Sequence, residues 1–266
     1  MATLVQDILR IENDSARPAL RKQFSLSLDA AAPAYHDRCV HELFEAQAER
    51  SPDALALISG NSEFTYRELN ARANQLARFL NRFGVGPNSL VGLCVTRSPE
   101  LIIGILGILK SGGAYVPLDP THPREKLSSM LRDTNVFVLL TGSELVEWLP
   151  RHGGPRISLD TDWNVIAKER KSNPLHRATP RNLAYVIYNS AGTREPKGVM
   201  ISHRGLLNYL SWGAEAYEVA KGAGSVIDVS IPFDLAITRV LAPLIVGRSV
   251  FLVGDSLVSS ATGTAH

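Results

Sequence analysis

The sequence predicts an α/β fold in which layered, largely parallel sheets are flanked by helices. Apolar stretches of strand length alternate with amphipathic helical patterns from about residue 40 to residue 253. Several helical patterns also carry recognisable start and stop signals. The content of 45% apolar and 20% charged residues in a chain of 266 is that of an ordinary globular protein, so a sizeable core can be buried.

The first elements are predicted from local signals. Apolar positions suit a short amphipathic helix over 41–50, which Ser-Pro-Asp ends before a strand over 54–59. Thr65 and Glu68 have the spacing of a capping box, and apolar residues then recur every three or four positions up to Gly84. This pattern predicts a long helix packed along one face.

The following elements continue the alternation. A strand is predicted over 90–95, and Ser98, Pro99 and Glu100 then provide a cap, a proline at the first helical position and an early acid. The helix that they start is nearly all apolar as far as Lys110 and must therefore be buried on most sides. The later predicted elements are helix 123–132, strands 136–140 and 184–188, helix 202–217, strand 226–230, helix 234–246 and strand 250–253.

The chain is predicted to consist of three parts. Residues 1–36 are linker-like, residues 37–253 form the packed domain, and residues 254–266, which are mostly small and lack a period, form a disordered tail. A polar segment over 161–182 is interpreted as a surface connection. The end of the chain soon after a core strand at 249–253 predicts a truncated domain.

Truncation predicts association when the chain is expressed alone. The last strand would leave an exposed edge, and helices 98–110 and 234–246 would lack part of their cover.

Charge and cysteine content exclude several classes of partner and site. The net charge is +2, with 28 basic and 26 acidic residues intermixed, which favours neither nucleic acid nor an anionic membrane. The two cysteines, Cys39 and Cys94, lie in dissimilar contexts without metal-ligand spacing, so no metal site is expected. The start lacks a secretory signal, and the apolar run 101–109 is shorter than the roughly 20 residues that a membrane span needs. We expect a reduced, cytoplasmic protein.

One segment has the composition of a phosphate-binding loop. In AYVIYNSAGTREPK, residues 184–197, an apolar strand runs into small, hydroxyl and basic residues and then, past Gly198, into a helix. Backbone amides approach phosphate readily at small residues, hydroxyls donate to it, and a lysine adds positive charge. The spacing is not that of a Walker A motif, and taken alone the segment is more typical of a Ser/Gly-rich surface turn. The residues suited to phosphate are Ser190, Gly192, Thr193 and Lys197.

This segment resembles the phosphate loop of the adenylate-forming, AMP-binding superfamily. The matching positions are Tyr188, Ser190, Thr193, Pro196, Lys197 and Gly198. Residues 37–44, 64–70 and 109–119 are similar to the opening motifs of amino-acid adenylation domains of nonribosomal peptide synthetases. The resemblance covers about residues 36–253 in unbroken order. It implies the N-terminal part of the large adenylation subdomain, truncated before its end.

The resemblance implies ATP-dependent activation of an amino acid to an aminoacyl-AMP, with ATP and Mg²⁺, for transfer to a carrier-protein thiol. It assigns Asp234 to the α-amino group of the substrate and Phe233 to the amino-acid pocket, and places His203 beside the nucleotide. Each residue also has a structural interpretation. Asp234 suits a helix N-cap, Phe233 suits the core, and a histidine at a helix start is commonly structural.

Two departures from the family predict that this chain is inactive alone. Asn189, Ala191, Gly192, Arg194 and Glu195 replace the usual loop residues, which restricts the backbone and places an anion near phosphate. The later family elements have no counterpart before His266, so no catalytic set is complete.

Expected partners are an amino acid and a carrier-protein domain or a complementary synthetase fragment, with no nucleic acid and no membrane. The alternatives are a fragment of an acyl-CoA or aryl-acid ligase, and a non-catalytic docking protein that retains the fold.

Overall fold

The computed structural model describes residues 37–189, 197–227 and 234–253. The helices are α1 (Val40–Arg50), α2 (Tyr66–Arg82), α3 (Pro99–Ser111), α4 (Arg124–Thr134), the single turn α5 (Trp163–Ile166), α6 (His203–Ala216) and α7 (Asp234–Ile245). The strands are β1 (Leu55–Ser59), β2 (Ser62–Thr65), β3 (Leu90–Cys94), β4 (Ala114–Pro117), β5 (Val138–Thr141), β6 (Arg156–Ser158), β7 (Leu183–Asn189), β8 (Lys197–Ser202), β9 (Gly224–Ile227) and β10 (Ser249–Leu252).

The described strands form two sheets. A six-stranded sheet has the order β6-β5-β3-β4-β7-β8, and every neighbouring pair is parallel except β7 with β8. A four-stranded sheet has the order β2-β1-β10-β9, with β2 antiparallel to β1 and the other pairs parallel. The predicted α/β fold with layered, largely parallel sheets flanked by helices is confirmed.

Helix α2 forms where the capping box predicts. The Thr65 hydroxyl accepts from the backbone N–H of Glu68 at 3.2 Å, and the Glu68 carboxylate accepts from the Thr65 N–H at 2.8 Å. These two bonds satisfy N–H groups that the first helical turn leaves without helical partners. At the far end of the helix, Gly84 has φ +92°, a left-handed angle that favours glycine.

Helix α3 lies at the centre of the main core. All residues from Leu101 to Ser111 are buried, and the helix packs closely on α2. The approach is close because Gly107 faces Leu76 of α2, where a Cβ would come within 2.6 Å of the leucine side chain. The expectation that this helix lacks cover is wrong, since this chain itself buries it on all sides.

The last strand of the described residues, β10, lies inside a sheet. It pairs with β1 on one side and β9 on the other, so the expectation of an exposed edge at 249–253 is wrong. Helix α7, which precedes β10, also buries its apolar residues from Ile237 to Leu244. The Tyr66 hydroxyl joins this region to α2 by donating to the Arg248 carbonyl at 2.8 Å and the Leu244 carbonyl at 3.0 Å.

The predicted surface connection over 161–182 is tied to helix α2. The Asn74 side-chain amide donates to the Lys171 carbonyl at 2.7 Å, and Arg78 donates to the Asn173 carbonyl at 2.9 Å. The segment therefore runs along α2 by side-chain to backbone bonds, with the short helix α5 near its start. Among the described residues, no helix combines the length and the apolar character that crossing a membrane requires.

Candidate functional site

The strands that flank the predicted phosphate residues, β7 and β8, form an antiparallel hairpin. Strand β7 carries the apolar residues, and β8 returns beside it in antiparallel register, so that Asn189 pairs with Lys197. The sequence interpretation missed β8, because it passed from the loop directly into the helix. Along the chain, β8 therefore lies between residues 190–196 and α6. Ser190, Gly192 and Thr193 lie outside the described residues.

The hairpin is closely packed at the end next to its loop. A Cβ on Gly198 would lie 3.1 Å from Val186 Cγ1 and 3.2 Å from the Tyr188 ring. The side chains of β7 therefore come closer to this glycine than they normally come to a Cβ. The Tyr188 hydroxyl donates to the Asp133 carboxylate in α4, and burial and this carboxylate both raise the pKa of Tyr188. The side chain of Tyr188 thus connects the strand that enters the loop to a neighbouring helix.

Lys197 begins β8 and is exposed. It directly follows the last residue of the loop segment and lies opposite the end of β7. An exposed ammonium at this position fits a phosphate ligand, because charge and reach are both available there.

The second predicted segment follows β9. Asp234 is the first residue of α7, one position after the place of an N-cap residue. Phe233 lies outside the described residues. Helices α6 and α7 pack against each other, and Thr238 of α7 lies next to Gly213 of α6, whose added Cβ would be 3.6 Å from Thr238 Cγ2.

The two predicted segments follow strands of two different sheets, and the carboxyl edges of these sheets meet. Arg97, just past the carboxyl end of β3, donates from Nη1 to the Val253 carbonyl, just past the carboxyl end of β10, at 3.0 Å. Strands β3, β4 and β7 are parallel, as are β10 and β9. The carboxyl ends of β7 and β9 therefore point toward the junction of the two sheets, which is where α/β folds bind ligands.

His203 is buried at the start of α6. The backbone N–H of His203 donates to the Asn182 carbonyl at 3.0 Å, and the ring Nδ1 accepts from the Val40 backbone N–H at 3.4 Å. The ring faces the start of α1, and burial lowers the pKa of His203 to about 4. The structure thus places this histidine against another helix, at the end of β8 opposite to Lys197.

His203 belongs to a buried group of polar side chains that the sequence did not suggest. The His41 ring lies edge-on to the His203 ring, with centroids 5.5 Å apart, and to the His176 ring at 5.4 Å. Burial, followed by the neighbouring His203 and Lys110, holds the pKa of His41 well below its usual value. Burial and the nearby Glu42 carboxylate raise the pKa of Cys39 to about 12.

An ion pair extends this group into the core. The Lys110 ammonium contacts Glu45 Oε1, and the other oxygen of Glu45 lies 2.6 Å from His176 Nε2. His176 Nδ1 lies 3.2 Å from Glu42. Burial lowers the pKa of Lys110 to about 8 against the opposing effect of Glu45.

The residues from the start of α1, Cys39, His41, Glu42 and Glu45, are close together in the sequence. Lys110, His176 and His203 come from segments far along the chain, so no local spacing could have revealed the group.

Comparison with known proteins identifies the family. The sequence profile of the AMP-binding enzyme family matches residues 44–262. This chain belongs to that family.

Curated relatives with similar sequences are much longer synthases. The chain is 43% identical over 225 residues to a linear gramicidin synthase of Brevibacillus parabrevis, covering 85% of this chain and 4% of that protein. It is 39% identical over 226 residues to bacitracin synthase 3 of Bacillus licheniformis, covering 84% of this chain and 3% of that protein. The chain therefore spans a small part of the length of these relatives.

Solved structures agree with the sequence relatives. The nonribosomal peptide synthetase FmoA3 in its AMPPNP-bound form matches with a TM-score of 0.74 at 31% identity, over 80% of this chain and 22% of that chain. The N-terminal subdomain of Klebsiella oxytoca NpsA matches with a TM-score of 0.74 over 85% of this chain and 59% of that chain. At 23% identity, this second likeness shows the fold alone. The resemblance to adenylation domains of nonribosomal peptide synthetases is confirmed.

Proposed function

We propose that this chain supplies the phosphate loop and the amine-binding carboxylate of an amino-acid adenylation site. The observation that carries the proposal is the meeting of the two sheets at Arg97 and Val253, 3.0 Å apart. Strands β7 and β9 lead to the two segments that the family resemblance assigns to ATP and to the amino acid. One ligand site between the carboxyl edges can thus receive both substrates.

Lys197 is assigned to the phosphates of ATP. It is exposed, positively charged and the first residue of β8, paired with Asn189 at the end of β7. Ser190, Gly192 and Thr193 are assigned to the same phosphates by hydroxyl and backbone amide donors. ATP would bring the leaving group of the reaction, pyrophosphate, whose growing negative charge an ammonium stabilises. Mg²⁺, which the family also implies, is assigned to no residue of this chain.

Asp234 is assigned to the α-amino group of the amino acid, and Phe233 to its side-chain pocket. A carboxylate that pairs with an ammonium selects substrates that carry an amine, which separates amino acids from the acyl and aryl acids of related ligases. The position of Asp234 as the first residue of α7 is compatible with this role.

His203 is assigned a positioning role. Because it is buried against α1 directly after β8, it holds the end of the hairpin strand to the body of the domain. It would affect ATP through the placement of Lys197 and not by touching the nucleotide.

In the proposed reaction, the amino-acid carboxylate attacks the α-phosphate of ATP and pyrophosphate leaves. The protein contributes by holding the two reactants in line and by stabilising charge on the phosphates. A carrier-protein thiol would then accept the aminoacyl group. The full reaction is assigned to the whole domain, with the remaining contacts supplied by a complementary part of a synthetase.

Binding of an ATP analogue tests the assignment of Lys197. The full chain is titrated with AMPPNP and Mg²⁺ by calorimetry, and the titration is repeated with Lys197→Ala. We expect binding by the wild-type chain and an affinity at least about tenfold lower in the variant, which corresponds to about 1.4 kcal/mol. The matched control is Lys221→Ala, since Lys221 is exposed and pairs with Glu218 away from the hairpin.

Two outcomes would contradict the proposal. One is a wild-type chain that does not bind AMPPNP, and the other is equal binding by wild-type and Lys197→Ala chains. The assignment of Asp234 is tested separately by amino-acid-dependent ATP/pyrophosphate exchange, after a complementary adenylation fragment is added. Exchange should fall with Asp234→Asn and persist with Glu215→Gln. A docking protein would support no exchange in any combination.

A further inference from the structure

Three side chains of metal-binding type meet where α1 and α6 begin. Cys39 caps α1, His41 lies in its first turn, and His203 is the first residue of α6. One donor atom from each lies within 4.8 Å of the donor atoms of the other two. All three residues are buried, with at most 1% of their surface exposed.

The nitrogen atoms of this cluster need a partner. Both ring nitrogens of His41 and Nε2 of His203 are buried without a hydrogen-bond partner among the described residues. A neutral imidazole always carries one N–H and one lone pair, so each unpartnered ring loses interactions that it had with water. Nitrogens left in this way inside a protein indicate a bound water molecule or an ion.

The charges around the cluster favour a cation. The carboxylates of Glu42 and Glu45 lie beside it, and the described ion pairs set one ammonium, that of Lys110, and the imidazole of His176 against these two carboxylates. Glu42 also accepts from the backbone N–H of Cys39. A divalent cation that displaces the thiol proton adds one net positive charge, which balances the second carboxylate.

We propose that Cys39, His41 and His203 form a binding site for a zinc-like transition-metal ion. A mixed set of one sulfur and two imidazole nitrogens suits Zn²⁺ and disfavours Mg²⁺ and Ca²⁺, which prefer oxygen. As the metal–sulfur bond forms, the Cys39 thiol releases its proton to solvent. A water molecule takes the fourth tetrahedral position.

Binding requires small movements. Donor atoms around tetrahedral zinc lie roughly 3.5 Å apart, so the three side chains must close by about 1 Å. Ligation through His203 Nε2 places the ring proton on Nδ1, which requires the contact with the Val40 N–H to be given up. That contact measures 3.4 Å, near the limit for a hydrogen bond, so little is lost.

The ion would fasten the start of α1 to the residue that follows β8. Since β8 begins at Lys197, the metal would fix the base of the hairpin without touching its loop. This role is structural and does not depend on the proposed nucleotide binding.

Metal content of the purified full chain is the first test. The chain is expressed with added zinc, passed over a desalting column and analysed by mass spectrometry of its metals. We expect about one zinc per chain, and a fall in melting temperature of more than about 5 °C after treatment with a strong chelator. Cobalt added to the metal-free chain should give the intense visible bands of tetrahedral Co²⁺ and a thiolate charge-transfer band.

The second test uses the other buried cysteine as a control. Cys39→Ser should lose the thiolate band and bind metal at least tenfold more weakly, whereas Cys94→Ser should behave as wild type, because Cys94 lies in the six-stranded sheet. A wild-type chain that carries no stoichiometric metal and gives no cobalt spectrum would overturn the proposal, and the cluster would then hold water. Equal cobalt spectra in wild type and Cys39→Ser would overturn it as well.

Discussion

Lys110 and Glu45 form an ion pair inside the protein core. The side chain of Lys110 is 0% exposed and that of Glu45 is 6% exposed, and the pair joins the last turn of α3 to α1. Glu45 also contacts His176, so the carboxylate holds two buried groups at once. A charge buried in this way is tolerated only while its partner is present.

Glu45→Gln should therefore destabilise the fold strongly. The substitution keeps the shape of the side chain but leaves the Lys110 ammonium without a buried counter-charge, and we expect a loss of about 3 kcal/mol in the free energy of unfolding. Urea denaturation measures the loss. Glu49→Gln on the same helix is the control, since Glu49 is exposed and should cost less than about 0.5 kcal/mol. Similar losses in the two variants would contradict a buried ion pair.

The same pair predicts a dependence of stability on pH. Burial lowers the pKa of Lys110 from 10.5 to about 8, so between these values the unfolded chain binds more protons than the folded one. Stability contributed by this group therefore rises with pH across that window, by on the order of 3 kcal/mol. Below pH 8 the lysine is protonated in both states and the contribution is constant.

The measurement is the difference in unfolding free energy between wild type and Lys110→Met across pH 8 to 10.5. Other titrating groups are common to both chains and cancel in the difference. An unchanging difference would show that Lys110 stays protonated in the core.

Local chemistry explains which elements the sequence predicts correctly. The start of α2 depends on Thr65 and Glu68, three positions apart, and the end of α3 depends on Gly112, whose φ is +90°. Such signals act within one turn, and both helices form within two residues of their expected bounds. Strands β2 and β8 were missed because each is stabilised by pairing with the strand before it, which no local pattern records.

Long-range placement explains what the sequence could not predict. The order of strands along the chain does not reveal that β10 inserts between β1 and β9. The candidate site divides in the same way. Lys197 and Asp234 were found because their neighbours match family motifs, whereas the group formed by Cys39, His41 and His203 exists only after α1 and α6 have packed together.

Gly107→Ala tests the close approach of α3 and α2. Alanine favours a helix by about 1 kcal/mol, but its Cβ would lie 2.6 Å from Leu76 Cδ2 and 2.8 Å from Leu76 Cγ. Because the leucine is fully buried, overpacking should win, with a net loss of about 1 to 2 kcal/mol. The melting temperature and urea midpoint measure this loss.

Gly205→Ala is the matched helical control. A Cβ there would lie 3.6 Å from its nearest neighbour, an ordinary contact distance, so the helix propensity should act unopposed. We expect no loss and a gain of up to about 1 kcal/mol. A stabilised Gly107→Ala chain would show that α2 and α3 separate without cost.

Tyr188→Phe tests whether the strand that enters the loop must be held in place for ATP to bind. The Tyr188 hydroxyl donates to Asp133, and the loop begins two residues later. Because this bond is exposed, its loss should cost less than about 1 kcal/mol of stability. If the proposed ATP site is correct, affinity for AMPPNP should fall severalfold, because the strand that enters the loop is then no longer held by Asp133.

Asp133→Ala, which removes the acceptor, should reproduce the weaker binding, and the double variant should bind no more weakly than either single variant, because both changes break the same bond. The control is Tyr217→Phe, which removes a hydroxyl from a side chain that is 54% exposed and remote from the hairpin. Equal AMPPNP affinity in wild type and Tyr188→Phe, with Lys197→Ala still defective, would show that Lys197 binds phosphate from a loop whose position does not depend on Tyr188.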